Sequence, residues 1–209
     1  QINAWDPSED FGENLKKDID SLWPILKKTG KLNDDLKLNL KICGSLGEAC
    51  ENANIIQESA PEDIDLKRSI HHDIEENSPN EALIVSSSSG LLPTNIQEGL
   101  KFPERFAVGH PFNPVYILPL VEIVGGKLTS QSTIESLRDF YKSINMHPLI
   151  VRNEIEGYLS DRLQEAQWRE ILHLVNDNIA TTGELDDAII YGPGLRWAIM
   201  GTCLTFHLA

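Results

Sequence analysis

The chain has 209 residues, enough to bury a sizeable core in one or two domains. With 32 Asp+Glu against 18 Lys+Arg its formal net charge is -14, so a phosphate backbone finds no general electrostatic support and nucleic acid is not expected as a partner. No apolar run approaches the ~18 residues of a membrane-spanning helix, and Cys43, Cys50 and Cys203, without CxxC spacing, read as reduced thiols of a cytoplasmic protein rather than as a disulfide frame or a metal site.

In chain order, "INAWD" is expected to be a short strand ending in an acid, and residues 8–29 a helix despite Pro24. "LKIC" is strand-like, "LGEACENA" a short helix and "NIIQES" a buried strand. "PEDIDLKRSIHHDIEEN" opens with Pro61 and acids, which suits a helix N-terminus. "EALIVSS", "FAVGHP" and "LVEIVGG" follow as strands, "SQSTIESLRDFYKSIN" as a helix and "HPLIVRN" as a last strand. Strands alternating with helices at this spacing predict a parallel α/β sheet.

After about residue 153 only helical patterns continue, so a domain boundary is expected there. "YLSDRLQEAQWREILHLVNDNIA" sets Leu159, Leu163, Ala166 and Leu174 along one stripe, with Asp161, Glu165 and Arg169 at four-residue steps on another. "TTGE" at 181–184 fits a capping box, and "GPG" at 192–194 breaks the chain before a further helix, "LRWAIMGTCLTFHLA". Gln1 stands directly ahead of a strand pattern and the chain stops inside a helical one, so it is expected to be a segment of a longer parent.

Chemistry concentrates in "GHPFNPVYILPLVEIVGG", residues 109–126, where His110 opens an apolar stretch and Glu122 sits inside "LVEIV". A carboxylate buried there is costly unless paired. An imidazole titrates near 6.5 and can take a proton from an alcohol at neutral pH, and an acid twelve positions later on a neighbouring strand can orient its other nitrogen. Ser86, Ser87, Ser88 and Ser89 end a strand where doubly wound sheets place ligands, although the residues alone do not choose among the four hydroxyls. Asp6 is either a strand-end turn residue or the acid that meets the adenosine ribose in a dinucleotide fold. The glycine-rich loop of such a fold belongs about 20 residues earlier, ahead of Gln1.

"ESAPEDIDLKRSI", "SSSSGLL", "GHPFNPV" and "LVEIVGG" resemble the 3-hydroxyacyl-CoA dehydrogenase superfamily. "QESAPE", "HPFNPVYILPLVEIVGG", "DRLQEAQWREILHLVNDNIATTGELDDAI" and "YGPGLRWAIMG" are more similar to its carnitine dehydrogenase branch. The resemblance covers essentially the whole chain. It implies a Rossmann-like doubly wound sheet over residues 1–152, lacking its first strand and glycine loop, and a truncated all-helical domain over 153–209. It further implies NAD as cofactor, a small 3-hydroxy acid as substrate, no membrane partner, and a homodimer formed through the helical domain.

By the same resemblance His110 is the catalytic base, Glu122 its pairing partner, and Ser89 the hydroxyl that contacts the substrate oxygen. Asp6 matches the ribose acid, and Glu62 and Lys67 match positions beside the nicotinamide half of the cofactor. Ser87 and Asp161 stand where the acyl-CoA enzymes carry Asn. The second Asn positions an acyl substrate there, so Asp161 favours carnitine over a CoA thioester. A trimethylammonium group donates no conventional N–H hydrogen bond and calls for negative charge and aromatic faces. Asp161, Trp197 and Trp168 are candidates, Trp168 reading first as a helical-core residue. Arg196 is either the partner of a substrate carboxylate or a structural arginine. The alternatives are an L-3-hydroxyacyl-CoA or gulonate-type sugar-acid dehydrogenase of the same superfamily, and a non-catalytic relative like the lens crystallins that belong to it.

Overall fold

In the computed structural model, which describes residues 1–30, 32 and 37–209, strands and helices are interspersed as far as residue 151 and helices alone follow. The elements are β1 (Ile2–Ala4), α1 (Phe11–Lys28), β2 (Leu40–Ile42), α2 (Leu46–Cys50), β3 (Ile55–Glu58), α3 (Ile64–Asn77), β4 (Leu83–Ser86) and α4 (Pro93–Ile96). There follow β5 (Phe106–Pro111), β6 (Leu120–Val124), α5 (Gln131–Ser143), β7 (His147–Val151), α6 (Ser160–Asn176), α7 (Thr182–Ile190), α8 (Pro193–Trp197) and α9 (Thr202–Leu208). The chain divides into two compact units, Gln1–Leu159 and Ser160–Ala209.

In the first unit β3-β4-β5-β6-β7 form one sheet, while β1 and β2 pair in parallel with each other as a second. The period-two alternation of the strands sends their side chains to opposite faces. Ile84, Phe106, Val108 and Val124 meet Cys50, Ile74, Ile96 and Tyr158 on one face. Val85, Ala107, Val121 and Ile123 meet Ile134, Leu137 and Tyr141 of α5 on the other. Helices thus cover both faces of a Rossmann-like sheet, and each aliphatic side chain fully buried there contributes about 1.5–3 kcal/mol. Helix α3 begins later than Pro61 suggests: Asp63 caps it by accepting the Leu66 N–H at 2.8 Å, which satisfies one of the donors a helix start leaves open.

The sheet is not wholly parallel. β3, β4 and β5 run parallel, and so do β6 and β7, but β5 and β6 are antiparallel. A parallel crossover needs a dozen or more residues, and the link over 112–119 is too short to carry one. Alternating apolar strands look alike in either direction, which is why composition did not reveal the reversal.

In the helical unit the expected capping box is present: Thr181 accepts the Glu184 N–H while the Glu184 carboxylate accepts the Thr181 N–H. The expected single last helix is two, α8 and α9, with Gly201 in extended backbone as the N-cap of α9. Leu159 precedes α6 rather than starting its stripe, and Leu163 is 74% exposed. Trp168 is also exposed, in contrast to the core position its spacing suggested.

Candidate active site

The register of β5 and β6 sets His110 directly opposite Glu122, on the face that also carries Phe106, Val108 and Val124. Directly opposed residues of an antiparallel pair stand close enough for their side chains to interact. His110 Nδ1 donates to Glu122 Oε2 at 3.0 Å. Glu122 is 0% exposed and His110 5%, so the bond lies away from bulk water. A carboxylate only accepts, so Nδ1 carries the ring proton and Nε2 is the basic nitrogen. The other carboxylate oxygen, Oε1, accepts the Leu159 N–H at 3.0 Å. Glu122 is therefore held from two directions, by the imidazole and by the backbone that follows β7.

The serine segment lies at the carboxyl end of β4, and its four hydroxyls have different surroundings. Ser86 Oγ donates to Glu58 at 2.6 Å, and Ser88 Oγ bonds Glu62 at 2.5 Å. Ser87 Oγ accepts from Gln57 at 2.7 Å and lies 2.9 Å from Ser59 Oγ. Ser89 alone is exposed. Its backbone N–H, with those of Gly90 and Leu91, converges on Glu62 Oε1 at 3.1, 3.0 and 3.3 Å. Burial pulls the Glu62 carboxyl up, but the Ser88 hydroxyl, the Gly90 and Leu91 amides and the nearby Lys67 ammonium together hold it below the ordinary carboxylate range.

Lys67 is 1% exposed, with Nζ 2.8 Å from Glu58 Oε1, 3.0 Å from the Ala60 carbonyl and 3.6 Å from Glu62 Oε2. Glu58 is the centre of this buried cluster and went unnoticed in the sequence. Besides Lys67 and Ser86, it accepts from His71 Nε2 at 3.0 Å. Burial alone would raise its pKa, but the hydrogen bonds from His71, Lys67 and Ser86 outweigh that and bring it down to about 2. The signal was available, since Glu58 closes an apolar strand after Ile55 and Ile56 much as Glu122 interrupts "LVEIV".

Tyr158 is the second residue that sequence patterns missed. It is fully buried, its ring centroid is 5.5 Å from that of His110, and its hydroxyl donates to the Leu91 carbonyl at 2.7 Å. Phe112 stands edge-on to His110 at 6.1 Å.

Asp6 follows β1 and borders a cleft of about 460 Å³ lined by Trp5, Phe11, Gly12, Ile42 and Gly44. Its carboxylate is exposed and accepts the Ser8 N–H at 2.8 Å, the contact of a turn residue. Spare acceptor capacity on that carboxylate, in a cleft at the carboxyl ends of two parallel strands, fits the adenosine ribose of a dinucleotide. Asp161, Arg196 and Trp197 belong to the helical unit: Asp161 lies in the first turn of α6, and Arg196 and Trp197 end α8.

The chain is similar to proteins described as L-carnitine dehydrogenases. The chain is 52% identical over its whole length to an L-carnitine dehydrogenase of Pseudomonas putida and 50% identical to one of Bacillus cereus, spanning 65% and 64% of their lengths. Among solved structures it superposes on a 5-formyl-3-hydroxy-2-methylpyridine 4-carboxylic acid 5-dehydrogenase with a TM-score of 0.94 at 24% identity, covering 100% of this chain and 68% of that one. It superposes on an (S)-3-hydroxybutyryl-CoA dehydrogenase of Ralstonia eutropha with a TM-score of 0.81, also at 24% identity, covering 90% of this chain and 68% of that one. These structural likenesses speak to the fold. The model of the 3-hydroxyacyl-CoA dehydrogenase NAD binding domain matches residues 1–155 and that of its C-terminal domain residues 157–209, and with both domains matched in order the chain belongs to the 3-hydroxyacyl-CoA dehydrogenase family.

Proposed function

We propose that the whole protein oxidises the 3-hydroxyl of L-carnitine to 3-dehydrocarnitine, with His110 as general base. The observation that carries this reading is the buried 3.0 Å bond between His110 Nδ1 and Glu122. It fixes the tautomer in which Nε2 accepts a proton, and it sets a carboxylate against the imidazolium that results. His110 Nε2 takes the hydroxyl proton as the C3–H bond breaks. NAD, when bound, supplies the acceptor for the hydride. The Ser89 hydroxyl, on the loop gathered around Glu62, donates to the substrate oxygen, and Lys67 acts from behind Glu62 on the nicotinamide side. Asp6 accepts from the ribose 2'-hydroxyl and repels a 2'-phosphate, which selects NAD over NADP.

Carnitine, rather than a CoA thioester, is supported by the 52% and 50% identity to L-carnitine dehydrogenases. Asp161 and Trp197 are assigned to the trimethylammonium group and Arg196 to the carboxylate, by charge and aromatic character. A homodimer through the helical unit is supported by its exposed apolar side chains, among them Ile179 at 69%, Ile199 at 89% and Phe206 at 77%.

The test is NADH production by the full-length protein offered carnitine, 3-hydroxybutyryl-CoA and gulonate separately, with NADP in place of NAD as a control. Turnover of carnitine with NAD is expected. Turnover of the thioester or of gulonate alone transfers the assignment to that substrate class, and tight NAD binding without any turnover points to a non-catalytic relative.

A further inference from the structure

Between β7 and α6 the chain passes through two left-handed backbone positions, Gly157 at φ +70° and Tyr158 at φ +45°. Positive φ is uncommon for a side chain of this size and persists only where the surroundings hold it. Two contacts do so, from different atoms and in different directions. The N–H of the next residue, Leu159, bonds Glu122 Oε1 at 3.0 Å, behind the imidazole. The Tyr158 hydroxyl bonds the Leu91 carbonyl at 2.7 Å, in the loop that carries Ser89. Between these contacts the ring is fully buried and tilted against His110. Leu91 is gripped on its other side as well, since its own N–H bonds Glu62 Oε1 at 3.3 Å and Ser88 Oγ at 3.1 Å.

This arrangement solves a geometric problem. One substrate oxygen must meet both the Ser89 hydroxyl and His110 Nε2, which belong to a loop and a strand with separate supports. We propose that Tyr158 is a positioning residue whose hydroxyl sets the serine loop at its working distance from the His110–Glu122 pair. The inference rests on the roles given above to His110 and Ser89. Phenylalanine would fill the same space in the core but would leave the Leu91 carbonyl without this donor. Burial pushes the phenol's pKa up, so the hydroxyl stays a donor throughout the neutral and alkaline range.

The experiment compares Tyr158→Phe with the wild-type full-length protein. The ring is retained and one hydrogen bond is lost, so the thermal midpoint should fall by only about 2–4 °C. kcat/KM for the 3-hydroxy substrate should fall roughly tenfold with the KM for NAD unchanged, the scale of a small misplacement of reacting groups. The primary deuterium isotope effect on kcat with 3-deuterated substrate should rise, because hydride transfer becomes more fully rate-limiting. Amide exchange at residues 89–91 should quicken severalfold, a readout independent of turnover. Unchanged exchange in Tyr158→Phe overturns the proposal even if the wild type proves inactive, in which case the proposed function fails separately. With an active wild type, kcat/KM within twofold and an unchanged isotope effect also overturn it, as does a loss equal to the fall in folded fraction. Tyr158→Leu, which removes ring and hydroxyl, should lower the midpoint further, and an equal shift in both variants would overturn the separation of packing from positioning.

Discussion

Replacing Glu122 by Gln tests the dyad without changing side-chain volume. The carboxylate accepts one donor on each oxygen, both at 3.0 Å: the buried His110 Nδ1–H and the partly buried Leu159 N–H. A glutamine has one oxygen, so in either orientation its NH2 faces one of these donors. A buried donor left without an acceptor costs about 1–3 kcal/mol, which should appear as a lower unfolding midpoint. The catalytic loss comes from charge. As His110 takes the substrate proton, a positive ring forms beside the carboxylate, and two unit charges about 4 Å apart interact by about 4 kcal/mol at an effective dielectric near 20. At about 1.36 kcal/mol per tenfold, kcat should fall by roughly 10²–10³. The assay is steady-state NADH formation by the full-length protein, normalised to folded fraction. If Glu122 acts only through the imidazole, the double variant with His110→Ala should be no slower than His110→Ala alone, itself down by about 10²–10⁴. A Glu122→Gln enzyme within threefold of wild type, or multiplicative losses in the double variant, would refute the dyad.

Gly109→Ala should cost about 1–3 kcal/mol in urea unfolding and lower kcat as well, because its Cβ would strike the Tyr141 hydroxyl and come within 2.7 Å of Val85 Cγ1, one residue before His110. Glu58 has a pKa of about 2 in the folded state against 4.5 ordinarily, so its contribution to stability, on the order of 3 kcal/mol, is complete above about pH 4.5 and is lost as the pH falls towards 2. Glu58→Gln should accordingly be less stable at neutral pH and flatten the decline of the unfolding free energy between pH 4.5 and 2, and an unaltered slope would remove Glu58 as its source. Asp161→Asn should raise the KM for carnitine roughly tenfold, about 1.4 kcal/mol, and barely alter that for a neutral short 3-hydroxy acid. Equal losses on both substrates would assign Asp161 to structure.

The sequence by itself carried information that is local or repeats with a short period. Strand and helix order and the Thr181–Glu184 cap are of this kind, because side-chain periodicity and capping act within a few residues. The His110–Glu122 pair was legible because it spans a short link and because two polar residues interrupt apolar strands. Only tertiary structure decided the direction in which β6 pairs with β5, since alternation states which face is buried and is silent about the neighbour. It also decided which serines are spent on internal bonds and which one is exposed. Buried polar and aromatic residues whose partners come from unconnected segments were the least legible. His71 on α3 reads like any polar helix position until β3 brings Glu58 against it. Tyr158 reads like another apolar helix residue until the turn at Gly157 carries its hydroxyl to a loop 67 positions earlier. A buried polar side chain is stable only beside its partners, and those partners are gathered by the fold from segments that no local pattern connects.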